Sequence, residues 1–112
     1  MSEVKKKLTQ IDVALEDDPS YGEGVNAVYQ FEINDEEPGI YQLILKDDEK
    51  YTTDKEEKDP DCTLIMASDD FVKLSNGDLN GTQAFMGGKL KIKGNMGLAL
   101  KLQSILTSFN KN

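Results

Sequence analysis

The sequence predicts an α+β domain built on a sheet of about five strands. Three observations carry that prediction. An amphipathic helical stripe opens the chain, three alternating segments follow with short acidic turns between them, and the second half mixes short helices with one more strand. Strands in a run and helices in a run, without strict alternation, define the α+β class. At 112 residues the chain forms one domain, residues 1–112, with a single core.

The elements follow in order. Over residues 3–16, Val4, Leu8, Ile11 and Leu15 recur at helical spacing, and Asp17-Asp18-Pro19 ends the helix. Val25 to Ile33 is a strand, apolar at every odd position. Asn34 to Gly39 is a turn by composition. Ile40 to Lys46 is the next strand, with Tyr41, Leu43 and Leu45 on one face, and Lys50 to Thr53 returns after Asp47-Asp48-Glu49. Such short acidic connections predict an antiparallel meander. Asp54 to Asp61 is charged and exposed, and Cys62 to Met66 is a compact fourth strand.

In the second half, Ser68 is placed to cap a helix starting at Asp69, whose acidic pair suits the positive end of a helix dipole. Gly77 is its C-terminal stop. Asn80 or Thr82 caps a short helix ending at Phe85-Met86, and Gly87-Gly88 breaks it. Lys89 to Lys93 alternates as a strand, lysines out and Leu90 and Ile92 in, and pairs back into the sheet. Gly94 turns the chain into a last helix from about Met96 to Phe109.

Composition narrows the function. Apolar residues make up 38% of the chain and charged ones 30%, an ordinary balance for a soluble globular domain. There is no apolar run long enough for a transmembrane helix, and MSEVKKKLTQID lacks the apolar region of a secretory signal. Histidine is absent and Cys62 is the lone cysteine. Ser-His-Asp and Cys-His catalysis therefore lose their base, and His- or Cys-based zinc sites are excluded. The single cysteine suits a reducing compartment. The acidic residues fall mostly in turn-like runs, so a carboxylate-pair hydrolase is the weaker reading.

Charge is split along the chain. The net charge is −8, and the last acidic residue is Asp78. Residues 1–78 hold eight lysines against 21 acids, a charge of −13, and the rest hold Lys89, Lys91, Lys93, Lys101 and Lys111, a charge of +5. The acidic total argues against nucleic acid. The basic third either wets the outer face of a strand and a helix or meets an anionic membrane surface transiently.

The apolar residues of that same third exceed what a small core needs. In the last helix Leu98, Leu102, Ile105 and Phe109 form one stripe, Met96, Ala99 and Leu106 widen it, and Leu100 lies away from its centre. Phe71, Val72, Leu74, Phe85 and Met86 also need cover, while the sheet is expected to have one buried face. The surplus is either a terminal helix packed on two elements or the wall of an apolar cavity, in which Met86 and Met96 adapt to an irregular shape.

A family resemblance covers about half of the chain. It is carried by Asp61-Cys62-Thr63-Leu64-Ile65-Met66-Ala67, Asp69-Asp70-Phe71, Gln83-Ala84-Phe85, Gly88-Lys89-Leu90-Lys91-Ile92 and Gly94-Asn95-Met96-Gly97-Leu98-Ala99-Leu100-Lys101-Leu102-Gln103. These segments resemble the sterol carrier protein type 2 domain, the non-specific lipid-transfer protein family. The resemblance implies a mixed, mainly antiparallel five-stranded sheet covered by four to five helices that enclose an apolar tunnel. It implies a non-catalytic carrier with no cofactor, binding fatty acids, fatty acyl-CoA, sterols or phospholipids and moving them between membranes or to enzymes. The lining it implies is Phe71, Leu74, Phe85, Met86, Leu90, Ile92, Met96, Leu98, Leu102, Ile105, Leu106 and Phe109.

Further expectations follow from that resemblance. Lys89 and Lys101 either attract a lipid head group or are plain surface lysines. The C-terminal helix loosens at a membrane, with Leu106 and Phe109 as contacts. Phe109-Asn110-Lys111-Asn112 is not a Ser-Lys-Leu-type peroxisomal address, so the expected setting is cytoplasmic, with peroxisomal import by that route doubtful. A free-standing monomer is the expectation for this length. The alternative is a protein-interaction or accessory domain that presents lipid to a partner enzyme.

Overall fold

The computed structural model describes residues 3–18, 20, 24–35 and 38–108. Helix α1 (Glu3–Asp17) precedes strands β1 (Ala27–Ile33), β2 (Gly39–Leu45), β3 (Lys50–Thr53) and β4 (Cys62–Met66). Helices α2 (Ser68–Asn76) and α3 (Gly81–Met86), strand β5 (Lys91–Gly94) and helix α4 (Met96–Ser108) complete the chain. The five strands form one sheet in the order β3-β2-β1-β4-β5. β1, β2 and β3 are the expected antiparallel meander. β4 runs parallel to β1, Phe31 opposite Leu64, and β5 pairs antiparallel to β4, Leu64 opposite Ile92. The sheet is therefore mixed and mainly antiparallel.

The helices cover one face of this sheet. Tyr29, Phe31 and Ile33 join Tyr41, Leu43, Leu45, Leu64 and Met66 in the main core. Phe71 of α2 meets Phe31 edge to face, with ring centroids 5.0 Å apart. α1 places Val4, Leu8, Ile11 and Leu15 in the same core. It is pinned to the β3 edge by Asp12, whose Oδ1 accepts from Thr52 N–H at 2.8 Å.

The sequence led us to expect one buried face, but the sheet has two. Val28, Gln30, Ile44, Gln42 and Thr63 are buried although their side chains lie outside the main core. The segment from β3 to β4 must cross β2 and β1 to reach its place, and Gln42 holds it there. Its side-chain carbonyl accepts from Glu57 and Lys58 N–H, and its amide donates to Lys58 O at 2.7 Å and to Gln30 Oε1 at 2.9 Å. A buried glutamine is tolerated only when its amide is satisfied in this way.

Some element ends differ from expectation. β1 starts at Ala27, not Val25, and β2 spans Gly39–Leu45. Ser68 does not cap α2. The cap position is Ala67, and Ser68, already helical, gives its N–H and hydroxyl to Asp35 Oδ2. Gly77 ends α2 at φ 82°, as expected. β5 begins at Lys91, because Lys89 and Leu90 N–H donate back to Ala84 O and complete the turn after α3. At the other end of β5, Gly94 has φ +94°, and a Cβ there would sit 2.6 Å from the Asp61 carbonyl. The glycine is what lets β5 turn into α4 hard against the β4 backbone.

Candidate functional site

Three short elements build a hollow at the β5 edge of the sheet. Asn80 caps α3 by accepting from Gln83 N–H at 3.0 Å. The Gly87-Gly88 turn then reverses the chain, with Gly88 at φ +83°. Asn95 caps α4 by accepting from Leu98 N–H, and Tyr29 reaches from the sheet to donate its hydroxyl to Leu98 O at 2.8 Å. These contacts leave α3 and the first half of α4 standing apart over β4 and β5.

The space between them is an apolar pocket of about 300 Å³. Its floor is Leu64 and Ile92, its back wall Leu74, Leu90 and Leu102, and its sides Gly81, Thr82, Phe85 and Met86 of α3 and Met96, Ala99, Leu100 and Gln103 of α4. Met86 is 80% exposed and Leu100 65%, with Phe85 and Met96 also exposed. The pocket is therefore rimmed by large exposed apolar side chains that no other described residue covers. Small apolar sites of this volume fall at the lower end of the ligand-pocket range, roughly 300–1,000 Å³.

The lining carries no charged side chain. Thr82 and Gln103 are its polar side chains, and Gln103 is spent on the backbone: Oε1 accepts from Gly81 N–H at 2.7 Å and Nε2 donates to Leu79 O at 3.0 Å. Those two bonds fasten the start of α3 to α4. The perturbed groups lie beneath, in the sheet. Burial, and then Cys62 and Asp61 nearby, push the Tyr29 hydroxyl far above its ordinary range. Burial, followed by the Asp61 charge, pushes the Cys62 thiol up to about 11. Neither group reaches the pocket, and no cluster that could hold a metal ion occurs among the described residues.

Of the expected lining, Leu74, Phe85, Met86, Leu90, Ile92, Met96 and Leu102 meet in this pocket. Phe71, Leu98, Ile105 and Leu106 do not. Phe71 is spent on Phe31, Leu98 is half-buried and packs against the core, and Ile105 and Leu106 are buried between α4 and its neighbours. Leu106, 1% exposed, is also no membrane contact in this conformation. Phe109 lies outside the described residues. The expectation missed Leu64, Gly81, Thr82, Ala99, Leu100 and Gln103. α4 serves two sides: Leu102, Ile105 and Leu106 are buried in the core, Leu102 also reaching the pocket, while Met96, Ala99, Leu100 and Gln103 line the pocket. The second set shows i, i+3, i+4, i+7 spacing in the sequence, which counting Met96 and Ala99 with the core stripe and setting Leu100 apart from it conceals. Lys89 and Lys101 are exposed and stand outside the lining.

A second cleft, between α1 and the β3 edge, is lined by Lys5, Leu8, Thr9, Tyr41, Thr52, Thr53 and Asp54. Its mixed polar and charged walls suit water better than an apolar guest.

Comparison with known proteins bears on the pocket. The profile of the SCP-2 sterol transfer family matches residues 7–107. Hydroxysteroid dehydrogenase-like protein 2 of Mus musculus is 48% identical over 85 residues, 75% of this chain and 17% of that protein. The chain thus spans about a fifth or less of the curated relatives it matches. The sterol carrier protein domain 2 of Helicoverpa armigera superimposes with a TM-score of 0.77 at 31% identity, covering 96% of this chain and 87% of that one. Sterol carrier protein-2 of Aedes aegypti, solved with the C16 fatty acid palmitate, gives a TM-score of 0.72 at 22% identity over 96% of this chain and 98% of its own, a likeness of fold alone.

Proposed function

The chain belongs to the SCP-2 sterol transfer family of lipid-binding domains, and from that premise we propose that it carries one lipid with its apolar chain in the α3–β5–α4 pocket. The observation that supports this most is the lining: thirteen residues without a charged side chain, open at a rim of exposed Met86 and Leu100. Each buried methylene contributes about 0.8 kcal/mol, so a chain of ~14 offers roughly 11 kcal/mol gross. Lost translational and chain freedom offset much of that, leaving micromolar to nanomolar affinity.

The role is non-catalytic. Gln103 is bonded to the backbone, and Thr82 has no base beside it in the lining. A site of about 300 Å³ favours a flexible fatty acid or the acyl chain of a fatty acyl-CoA or phospholipid over a bulky rigid sterol. The head group stays at the rim, since nothing inside pairs with it. The palmitate held by the Aedes aegypti protein is consistent with such a guest. Transfer between membranes follows if the guest leaves as readily as it enters. The buried thiol of Cys62 fits a reducing, intracellular setting.

A second reading has its own support. The curated relatives are several times longer than this chain and bear the name of dehydrogenase-like proteins. A domain of that kind would present lipid to an enzyme joined to it.

The test is direct. The purified protein is extracted with organic solvent for mass spectrometry of bound lipid and then titrated with a fluorescent fatty acid. Co-purified fatty acid and saturation at one equivalent are expected. A protein that is lipid-free and does not saturate would overturn the carrier reading.

A further inference from the structure

Sulfur is distributed unevenly over this molecule. The chain has four methionines and one cysteine. Met1 lies outside the described residues. Met66 and Cys62 sit at the two ends of β4, and both are buried, Met66 at 2% exposure. The remaining two are open to solvent, Met86 at 80% and Met96 at 43%. Met86 ends α3 and Met96 begins α4, and they line the pocket from its two side walls. Among the described residues, every exposed sulfur side chain is therefore at the pocket rim.

Leucine or isoleucine at these two positions would give an acyl chain similar apolar cover. What methionine adds is a flexible stem and a polarisable thioether with a reactive lone pair. The other lining side chains, among them Leu64, Phe85, Ile92 and Leu100, offer a mild oxidant nothing to attack. Cys62 is shielded as well, because it is buried and its thiol is held protonated, whereas the thiolate is the reactive form.

We propose that Met86 and Met96 form an oxidative modification site that switches the pocket off. A peroxide converts their thioethers to sulfoxides, and the pocket then loses its hold on the lipid. This rests on the carrier reading in one respect, that an acyl chain occupies the pocket. In the reaction with hydrogen peroxide, a sulfur lone pair attacks one peroxide oxygen. An S–O bond forms and the O–O bond breaks. The proton on the transferred oxygen passes to the departing hydroxide, which leaves as water. Sulfur loses two electrons and the peroxide gains them. Methionine sulfoxide reductases reverse the change, so the switch resets.

The sulfoxide is polar where the site has little to offer a polar group. Thr82 and Gln103 are the polar side chains of the lining, and Gln103 is already bonded to Gly81 N–H and Leu79 O. A sulfoxide pressed against a guest gives up water with little in exchange. A sulfoxide that keeps its water no longer covers the guest. Both outcomes weaken binding, while the buried core and its sulfur are untouched.

The test treats the purified protein with hydrogen peroxide and follows each methionine by peptide mass spectrometry. Fluorescent fatty-acid titration and urea unfolding are run on each protein before and after treatment. Met86 and Met96 are expected to oxidise about tenfold or more faster than Met66, in keeping with their exposure. Affinity is expected to fall about tenfold once both are converted, with the unfolding midpoint unchanged. Methionine sulfoxide reductase with a thiol reductant should restore it. Met86→Leu with Met96→Leu, compared with itself, should show no loss of affinity on treatment. The proposal is overturned if Met66 oxidises as fast as the rim pair. It is also overturned if full conversion leaves affinity unchanged, if affinity falls only as the protein unfolds, or if the leucine variant loses as much as the parent. If the untreated protein takes up no fatty acid, the carrier reading and the switch fall together. Uptake that peroxide does not alter overturns the switch alone.

Discussion

The two ends of the sheet use apolar residues differently. At the β3 edge, α1 brings Val4, Leu8, Ile11 and Leu15, and all four are buried. Its polar side is exposed, and Asp12 and Thr52 close the edge. At the β5 edge, α3 and α4 bring more apolar side chains than the sheet can cover. Leu102, Ile105 and Leu106 are buried, while Phe85, Met86, Met96 and Leu100 remain exposed. Where apolar supply matches apolar cover, the result is core. Where supply exceeds cover, the result is a hollow with a greasy rim. Net charge divides along the sequence, −13 over residues 1–78 and +5 over the rest.

The largest effect that would break this contrast is a loss of core at the α1 end. Leu8→Ala should cost about 2–5 kcal/mol of stability, read by urea denaturation, because it leaves a cavity in a packed site. The fatty-acid affinity of the folded protein should not change. Met86→Ala, at the rim, should reverse the pattern, with stability within about 0.5 kcal/mol of the parent and weaker lipid binding.

Next in size is the hinge between the sheet and the pocket wall. Gly94→Ala forces a left-handed backbone and drives a Cβ into the Asp61 carbonyl, so a loss of about 1–3 kcal/mol is expected, with β5 amides exchanging first. Tyr29→Phe removes the bond to Leu98 O at the same junction and should cost about 1–2 kcal/mol, visible in the melting transition.

Much of this contrast is legible in the sequence. The α1 stripe, the alternating strands, the Gly77 stop and a cap at Asn80 or Thr82 rest on local rules, and these elements form there, with β1 and β5 each starting two residues late. The failures are non-local. Ser68 has the residue type of a cap, but Asp35 from another turn takes its hydroxyl. Gln30 and Gln42 look like solvent positions of alternating strands, yet the β3–β4 crossing buries them. The pocket was half legible. Its α3 and β5 residues follow from their own turns, whereas α4 shows two overlapping stripes, and which one faces the pocket depends on where α3 sits.

The smallest effect is one of pH. The Cys62 thiol is raised to about 11 by burial and by Asp61, so the folded protein disfavours the thiolate that the unfolded chain forms more readily. A group raised in this way contributes its full stability below its unfolded pKa, near 9, and loses it as pH rises toward 11. The unfolding free energy should therefore decline between about pH 9 and 11, with the raised Tyr29 hydroxyl adding to it above its ordinary range near 10, and Cys62→Ala should lessen the part nearest pH 9. A decline of equal slope in the variant would assign it to other groups.

Methyl-resolved NMR during titration with palmitate compares the two ends most directly. A single apolar site at the β5 edge predicts shifts at the methyls of Leu64, Leu74, Leu90, Met86, Met96 and Leu102 that saturate together at one equivalent, with Val4, Leu8 and Leu15 silent. Shifts at Leu8 and Leu15, or none at Leu102 and Met96 at any palmitate concentration, would contradict it.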